Sequence, residues 1–167
     1  EEYKYNKRNI NELIKAVNYF DNHKIWILPN NDAGSVIIRN EIENKRELNN
    51  YIKNNLPREE YLSLIKNAKV VVGNSSSGVI ETPSFPTPSI NIGTRQKDRI
   101  KALSTINSNY KKNNIIKNIK IAISKKFSHR LKNTKNPYGD GKVSEKILDI
   151  LKSTKIDDKL LVKKMTI

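Results

Sequence analysis

The stretch VVVGNSSSGVIETPSFPTPSINIGTRQKDR, residues 70–99, decides how this chain is read. Three valines with apolar character on both faces predict a strand at KVVVG (69–73), of the kind found at the centre of a parallel sheet. Small polar residues follow it directly, and a short helix is expected to start near Ser77. A second strand is expected at PSINIG (88–93), and it runs into the basic loop TRQKDR. Strand, polar turn, helix, strand is the unit of a parallel α/β sheet.

The same alternation extends in both directions. Ile10, Leu13, Ile14, Val17 and Phe20 have helical spacing. KIWIL (24–28) is short, rich in β-formers and closed by Pro29, which predicts a strand. A helix is expected from Ser35 to about Lys45, and LNNYIKN (48–54) reads as a weak or edge strand. PREEYLSLIKNA (57–68) reads as a helix with proline at its start, acids in its first turn and an apolar face at Tyr61, Leu64 and Ile65. A further short strand is expected at 103–106, a basic helix at 113–126 and a last helix at 142–152. KNTKNPYGDGK (132–142) has the composition of a loop. The expected fold class is therefore α/β: a Rossmann-like parallel sheet with helices on both faces, one domain over 1–153, with a charged tail at 154–167.

Composition narrows the function. The chain has 167 residues, enough for one domain with a real core, and 36% of them are hydrophobic. No apolar run approaches the ~20 residues of a membrane-spanning helix, so no membrane role is expected. No signal-peptide pattern opens the chain, which begins at Glu1 without a methionine. Zero cysteines exclude disulfides and thiolate metal sites and fit a cytoplasmic protein. The formal charge is +15, from 32 basic and 17 acidic residues. A nucleic-acid-binding module is the reading from a different class that this charge suggests. Against it, the basic residues are mostly lysine and scattered. Aromatics are only 7%, and none interleave with arginine as a stacking platform requires. Abundant Lys, Asn and Ile explain the charge as composition. No nucleic-acid partner is expected, although a positive field favours a small anionic substrate.

Three polar loops fall at strand ends. Ser75 and Ser76 lack the frame of a serine nucleophile: in G-x-S-x-G terms Ser77 takes the place of the second glycine. Neither His23, ahead of a strand, nor His129, in a basic segment, is placed to activate them. A phosphate cradle fits better. Ligands of open parallel sheets sit at the carboxyl ends of strands, where helix-start amides and serine hydroxyls make an anion site. Gly78 lets the backbone approach a bulky ligand. Glu81, a turn inside the helix, suits ribose hydroxyls rather than phosphate. Arg95 and Arg99 emerge from the next strand end and suit bidentate phosphate contacts. Asn30 and Asp32, after the first strand, either line the same edge or close an Asx turn. Plain caps and a solvated loop are the structural alternatives for these residues.

Four segments together, PNNDAGS (29–35), GNSSSGVIE (73–81), TPSINIGTRQ (87–96) and YGDGK (138–142), resemble the hydrolysing UDP-N-acetylglucosamine 2-epimerase family, the type found in bacterial sialic-acid biosynthesis. The resemblance runs from about Ile10 to the helix after Lys142. It implies the second domain of a glycosyltransferase-B-like two-domain fold, lacking that domain's opening strand. It also implies that Ser75 and Ser76 contact UDP phosphates, Glu81 the ribose, Arg95 the phosphates or sugar, and that Asn30 lines the cleft, with Ser77 and Gly78 starting the helix. The implied reaction eliminates UDP across C1–C2 of the sugar and hydrates the glycal with inversion at C2, giving N-acetylmannosamine and UDP without metal or cofactor. No catalytic residue is expected in this chain; the family's proton-transferring acids and histidine lie upstream of what corresponds to Glu1. The partner implied is a UDP-N-acetylhexosamine, and the full-length enzyme is expected to be a homo-oligomer.

Two departures refine this. Non-hydrolysing relatives carry an S-G-G-x-Q-E-E loop and a T-E-R-P-E segment, whereas this chain has SSSGVIE and GTRQKDR, which favours the hydrolysing branch. The family also includes the epimerase part of an animal bifunctional epimerase/kinase that is feedback-inhibited by a nucleotide sugar; Val36 stands where that group has lysine, so the regulation is not carried over. UDP-N,N'-diacetylbacillosamine is the alternative substrate, followed by a non-hydrolysing epimerase.

Overall fold

A computed structural model describes residues 3–30, 33–45, 47, 49–157 and 160. It forms two compact units, 1–137 and 138–167.

The first unit holds β1 (Lys24–Ile27), β2 (Asn50–Lys53), β3 (Val71–Gly73), β4 (Ser89–Ile92) and β5 (Thr105–Ser108). Between and around them lie α1 (Asn6–Val17), α2 (Ser35–Asn44), α3 (Arg58–Asn67), α4 (Ser77–Ile80), α5 (Lys112–Ala122) and α6 (Lys125–Leu131). All pairings are parallel, as expected, but they make two ladders, β1–β2 and β3–β4–β5. Helix α1 joins them. Its Ile10 and Ile14 bury against Leu28 and Ile42, while its Ala16 buries against Ile90, Ile92, Ile115, Ile119 and Ala122.

Strand alternation sends side chains to two faces. Trp26 and Ile52 pack toward the α1–α2 core, whereas Ile25 and Tyr51 face α3 across an open apolar cleft of about 570 Å³. In β4, Ile90 and Ile92 enter the α1–α5 core and Ser89 lies beneath α4, so helices cover both faces.

The expectation that KVVVG is the central strand is corrected. β3 is an edge of its ladder and only half-buried, and the centre is β4, all four of whose residues are buried. Ser89 and Asn91 hide this in the sequence. They are buried because each bonds sideways to its register partner: Ser89 Oγ to Thr105 Oγ1 at 3.2 Å, and Asn91 Nδ2 to Asn107 Oδ1 at 2.9 Å. The last strand also lies two residues later than expected, at Thr105–Ser108.

The basic helix expected at 113–126 is two helices. Ser124 is extended, and its Oγ accepts from the Phe127 N–H at 3.3 Å, which caps α6 and turns the chain. Helix α5 has no cap of its own; Glu12 of α1 supplies one, Oε2 accepting from the Lys112 N–H at 3.1 Å. That bond, the largest influence, holds the Glu12 carboxyl below its ordinary range, aided by Lys15 and opposed by partial burial.

The second unit contains α7 (Val143–Ser153), started by Asp140, whose carboxylate accepts from the Lys142 N–H at 3.1 Å. Of the tail expected after 153, residues 158, 159 and 161–167 lie outside the described residues. Among the described residues no helix is long and apolar enough to cross a membrane.

Candidate functional site

The serine loop leaves the carboxyl end of β3 beside that of β4, with Gly73 opposite Asn91 in the ladder. The loop tightens at once into α4. Gly78 N–H bonds to the Ser75 carbonyl at 3.2 Å, and the Val79 and Ile80 N–H groups bond to the Ser76 carbonyl at 3.0 and 2.9 Å. Ser75 is exposed and Ser76 half-buried. The N–H groups of both, and the Ser76 hydroxyl, donate no hydrogen bond among the described residues. These are unengaged donors at the carboxyl end of a strand. Helix α4 is a single turn continued by a 3-10 turn, Thr82–Ser84, so the dipole assistance expected at its start is small. What the loop offers is amides and hydroxyls.

Ser77 differs from its neighbours. It is 9% exposed, and its hydroxyl is fully engaged. Tyr61 Oη donates to Ser77 Oγ at 2.5 Å, and Ser77 Oγ donates to Glu81 Oε2 at 2.5 Å. Glu81 Oε1 accepts from Arg58 Nη1 at 3.2 Å. Burial raises the Tyr61 hydroxyl above the ordinary phenol range and the Glu81 charge adds to this, while the bond to Ser77 opposes it. Neither Tyr61 nor Arg58 is among the site candidates picked out by sequence. The available signal was their spacing: three apart, they share one face of α3.

The Arg95 loop meets the serine loop through Gln96. This side chain is 3% exposed, and its Nε2 donates to the Asn74 carbonyl at 2.9 Å. Gly93, with φ 78°, makes the turn that sends the loop back, and Tyr110 packs directly over it. Arg95 and Arg99 are exposed on this loop. Two buried carbonyl oxygens at this strand end, Asn91 Oδ1 and Gln96 Oε1, have no partner among the described residues. Buried acceptors are ordinarily satisfied by a ligand or water where the protein does not do so.

Thus Ser75, Ser76, Ser77, Gly78 and Glu81 come together, and Gln96 ties the Arg95 loop to them. Asn30 is exposed after β1, on the other ladder, with no described hydrogen bond to the serine loop. Asp32 lies outside the described residues. The apolar cleft under α3 contains none of the candidate residues. Among the described residues no group of three or more His, Cys, Asp or Glu side chains is arranged to hold a metal ion.

Over residues 1–152 the chain matches the family described as UDP-N-acetylglucosamine 2-epimerase. The chain belongs to this family. It is 38% identical over 133 residues to the polysialic acid biosynthesis protein P7 of Escherichia coli, a match spanning 77% of this chain and 34% of that protein. It is also 38% identical over 109 residues to the GDP/UDP-N,N'-diacetylbacillosamine 2-epimerase (hydrolyzing) of Campylobacter jejuni, covering 63% of this chain and 28% of the relative. The chain therefore spans about a third of the length of these curated relatives. Its fold superposes with a TM-score of 0.69, at 22% identity, on the Methanocaldococcus jannaschii UDP-GlcNAc 2-epimerase solved with UDP-GlcNAc and UDP, covering 90% of this chain and 41% of that one. The glycosyltransferase-B-type fold expected from the sequence is the fold of these structural relatives.

Proposed function

We propose that this chain is the UDP-binding part of a hydrolysing UDP-N-acetylglucosamine 2-epimerase that releases N-acetylmannosamine and UDP for sialic-acid-type sugar biosynthesis in the cytoplasm. The observation that carries the reading is the loop after β3. It has free amide and hydroxyl donors at Ser75 and Ser76, and a carboxylate, Glu81, held at its far end. Donors suit a diphosphate and a fixed carboxylate suits a ribose diol. A nucleoside diphosphate places both groups on one small molecule.

In the elimination step UDP leaves C1 carrying negative charge. Ser75, Ser76 and their N–H groups stabilise that charge as it develops, and Arg95 approaches the same phosphates. Glu81 fixes the ribose and hence the position of the diphosphate. Asn30 lines the sugar side of the cleft. Proton removal at C2 and hydration of the glycal need acid–base groups. The described residues near the loop include no histidine, with His23 ahead of β1 and His129 in α6. We assign those steps to residues outside this chain, in the remainder of a homo-oligomeric enzyme. The chain alone then binds UDP without turning over.

A specific observation supports a second sugar. The Campylobacter jejuni relative is named for GDP/UDP-N,N'-diacetylbacillosamine and matches at the same 38% identity as the polysialic acid protein, over a shorter span. Thermal denaturation tests the class. UDP at low millimolar concentration is expected to raise the midpoint, by up to ~2.7 kcal/mol of stabilisation at a hundredfold excess over Kd. Stabilisation by an oligonucleotide with steep salt dependence, and none by UDP, would instead indicate a nucleic-acid module. Release of N-acetylmannosamine by this chain alone would refute the assignment of proton transfer elsewhere.

A further inference from the structure

The two oxygens of Glu81 are held in different ways. Oε2 is reached by a partly buried relay, Tyr61 hydroxyl to Ser77 hydroxyl to carboxylate, with both links at 2.5 Å. Oε1 is reached by Arg58, whose side chain is 75% exposed. The relay has a direction. A serine hydroxyl carries one proton, and Tyr61's donation occupies a lone pair of Ser77 Oγ, which commits the serine proton to Glu81. Such chains strengthen their members when shielded from water. Burial and the nearby Glu81 charge keep Tyr61 protonated, hence a donor, across neutral pH. The Arg58 contact is a surface ion pair, which contributes little and exchanges readily.

We propose that Tyr61, acting through Ser77, is a positioning residue that fixes Glu81 for a ribose diol, and that Arg58 holds the outer oxygen only until a ribose hydroxyl displaces it. The inference rests on the reading of Glu81 as the ribose acceptor. It assigns to α3 a role in nucleotide specificity although its side chains need not touch the ligand.

The test is calorimetric titration of the chain with UDP and with 2'-deoxy-UDP, for the wild type and for Tyr61→Phe, Ser77→Ala and Arg58→Ala. The wild type is expected to prefer UDP. Tyr61→Phe is expected to weaken UDP about threefold to tenfold, the size of one ordinary hydrogen bond, while 2'-deoxy-UDP changes little, so the preference collapses. Ser77→Ala breaks the same relay without touching the ring and is expected to do the same, which covers a Tyr61→Phe chain that fails to fold. Arg58→Ala is expected to keep the preference. Retention of the preference in both relay variants, or equal weakening of both nucleotides, overturns the inference. A wild type that binds both nucleotides equally overturns the ribose role of Glu81 and the inference with it. A wild type that binds neither refutes the nucleotide-binding reading itself.

Discussion

Gly93 ends β4 and launches the loop that carries Arg95 and Gln96, so replacing it with alanine probes both fold and site. Two costs add. Its φ of 78° is left-handed, which for alanine costs about 1–2 kcal/mol. A Cβ built there lies 2.5 Å from Cε2 and Oη of Tyr110 and 2.7 Å from Cζ, well inside contact distance. Tyr110 packs on the core of Ile90 and Ile92, so the ring cannot move without loss; overpacking of this kind costs about 1–3 kcal/mol. Gly93→Ala is therefore expected to destabilise the 1–137 unit by about 2–5 kcal/mol. At roughly 4 °C per kcal/mol for a unit of this size, the melting midpoint falls by about 8–20 °C. Circular dichroism melts of the single and double variants separate the two parts. With Tyr110→Ala in the background the clash is gone, and Gly93→Ala costs only the backbone part, about 1–2 kcal/mol. A Gly93→Ala midpoint within about a degree of wild type, against the ~8 °C minimum expected, would refute the reasoning. An equal cost in both backgrounds would refute the role of Tyr110.

Further predictions concern the core, the caps and the loops. Ile90, 1% exposed at the centre of the larger ladder, is expected to lose about 2–5 kcal/mol on Ile90→Ala in urea denaturation, whereas Ile121→Ala, 42% exposed, stays within about 0.5 kcal/mol. Glu12→Gln removes the charge that caps α5. Because the folded carboxyl is held below its ordinary 4.5, the stabilisation is complete above that value and is lost as pH falls through the lower folded value. Urea titrations should show a deficit of about 0.5–1 kcal/mol at neutral pH that disappears in acid, and a deficit independent of pH would contradict the cap. Gln96→Ala removes the bond to the Asn74 carbonyl. Amide hydrogen exchange should then quicken across 73–78 while α1 and α5 keep their protection; unchanged exchange in the loop would show that Gln96 does not hold it.

The sequence was most legible where one short window carried the whole signal. The strand, serine turn and short helix of 70–81 could be read because an apolar run, small residues and a helix start follow each other without interruption. Helices α1 and α3 were legible from periodicity and from Pro57 with its first-turn acids. What could not be read depends on residues far apart in the chain. β4 did not read as the central strand, because Ser89 and Asn91 look solvent-facing until Thr105 and Asn107 are placed beside them. The break between α5 and α6 rests on one serine in extended conformation. Tyr61 read as part of an apolar face, yet its hydroxyl works 16 residues away on Ser77. Gln96 sat inside a basic run and drew no notice, although it is the buried member of its loop. Glu81 was picked out as a candidate from the sequence, and the residues that hold it were not.

The central claim is that the loop after β3 grips a nucleoside diphosphate, and one calorimetric comparison tests it directly. UDP titrated into this chain is expected to give saturable one-to-one binding. Replacing Ser75 and Ser76 together with alanine is expected to weaken it at least about tenfold, since each hydroxyl bonds a charged oxygen. Absence of UDP binding by the wild type, or equal binding by the double variant, would contradict the account.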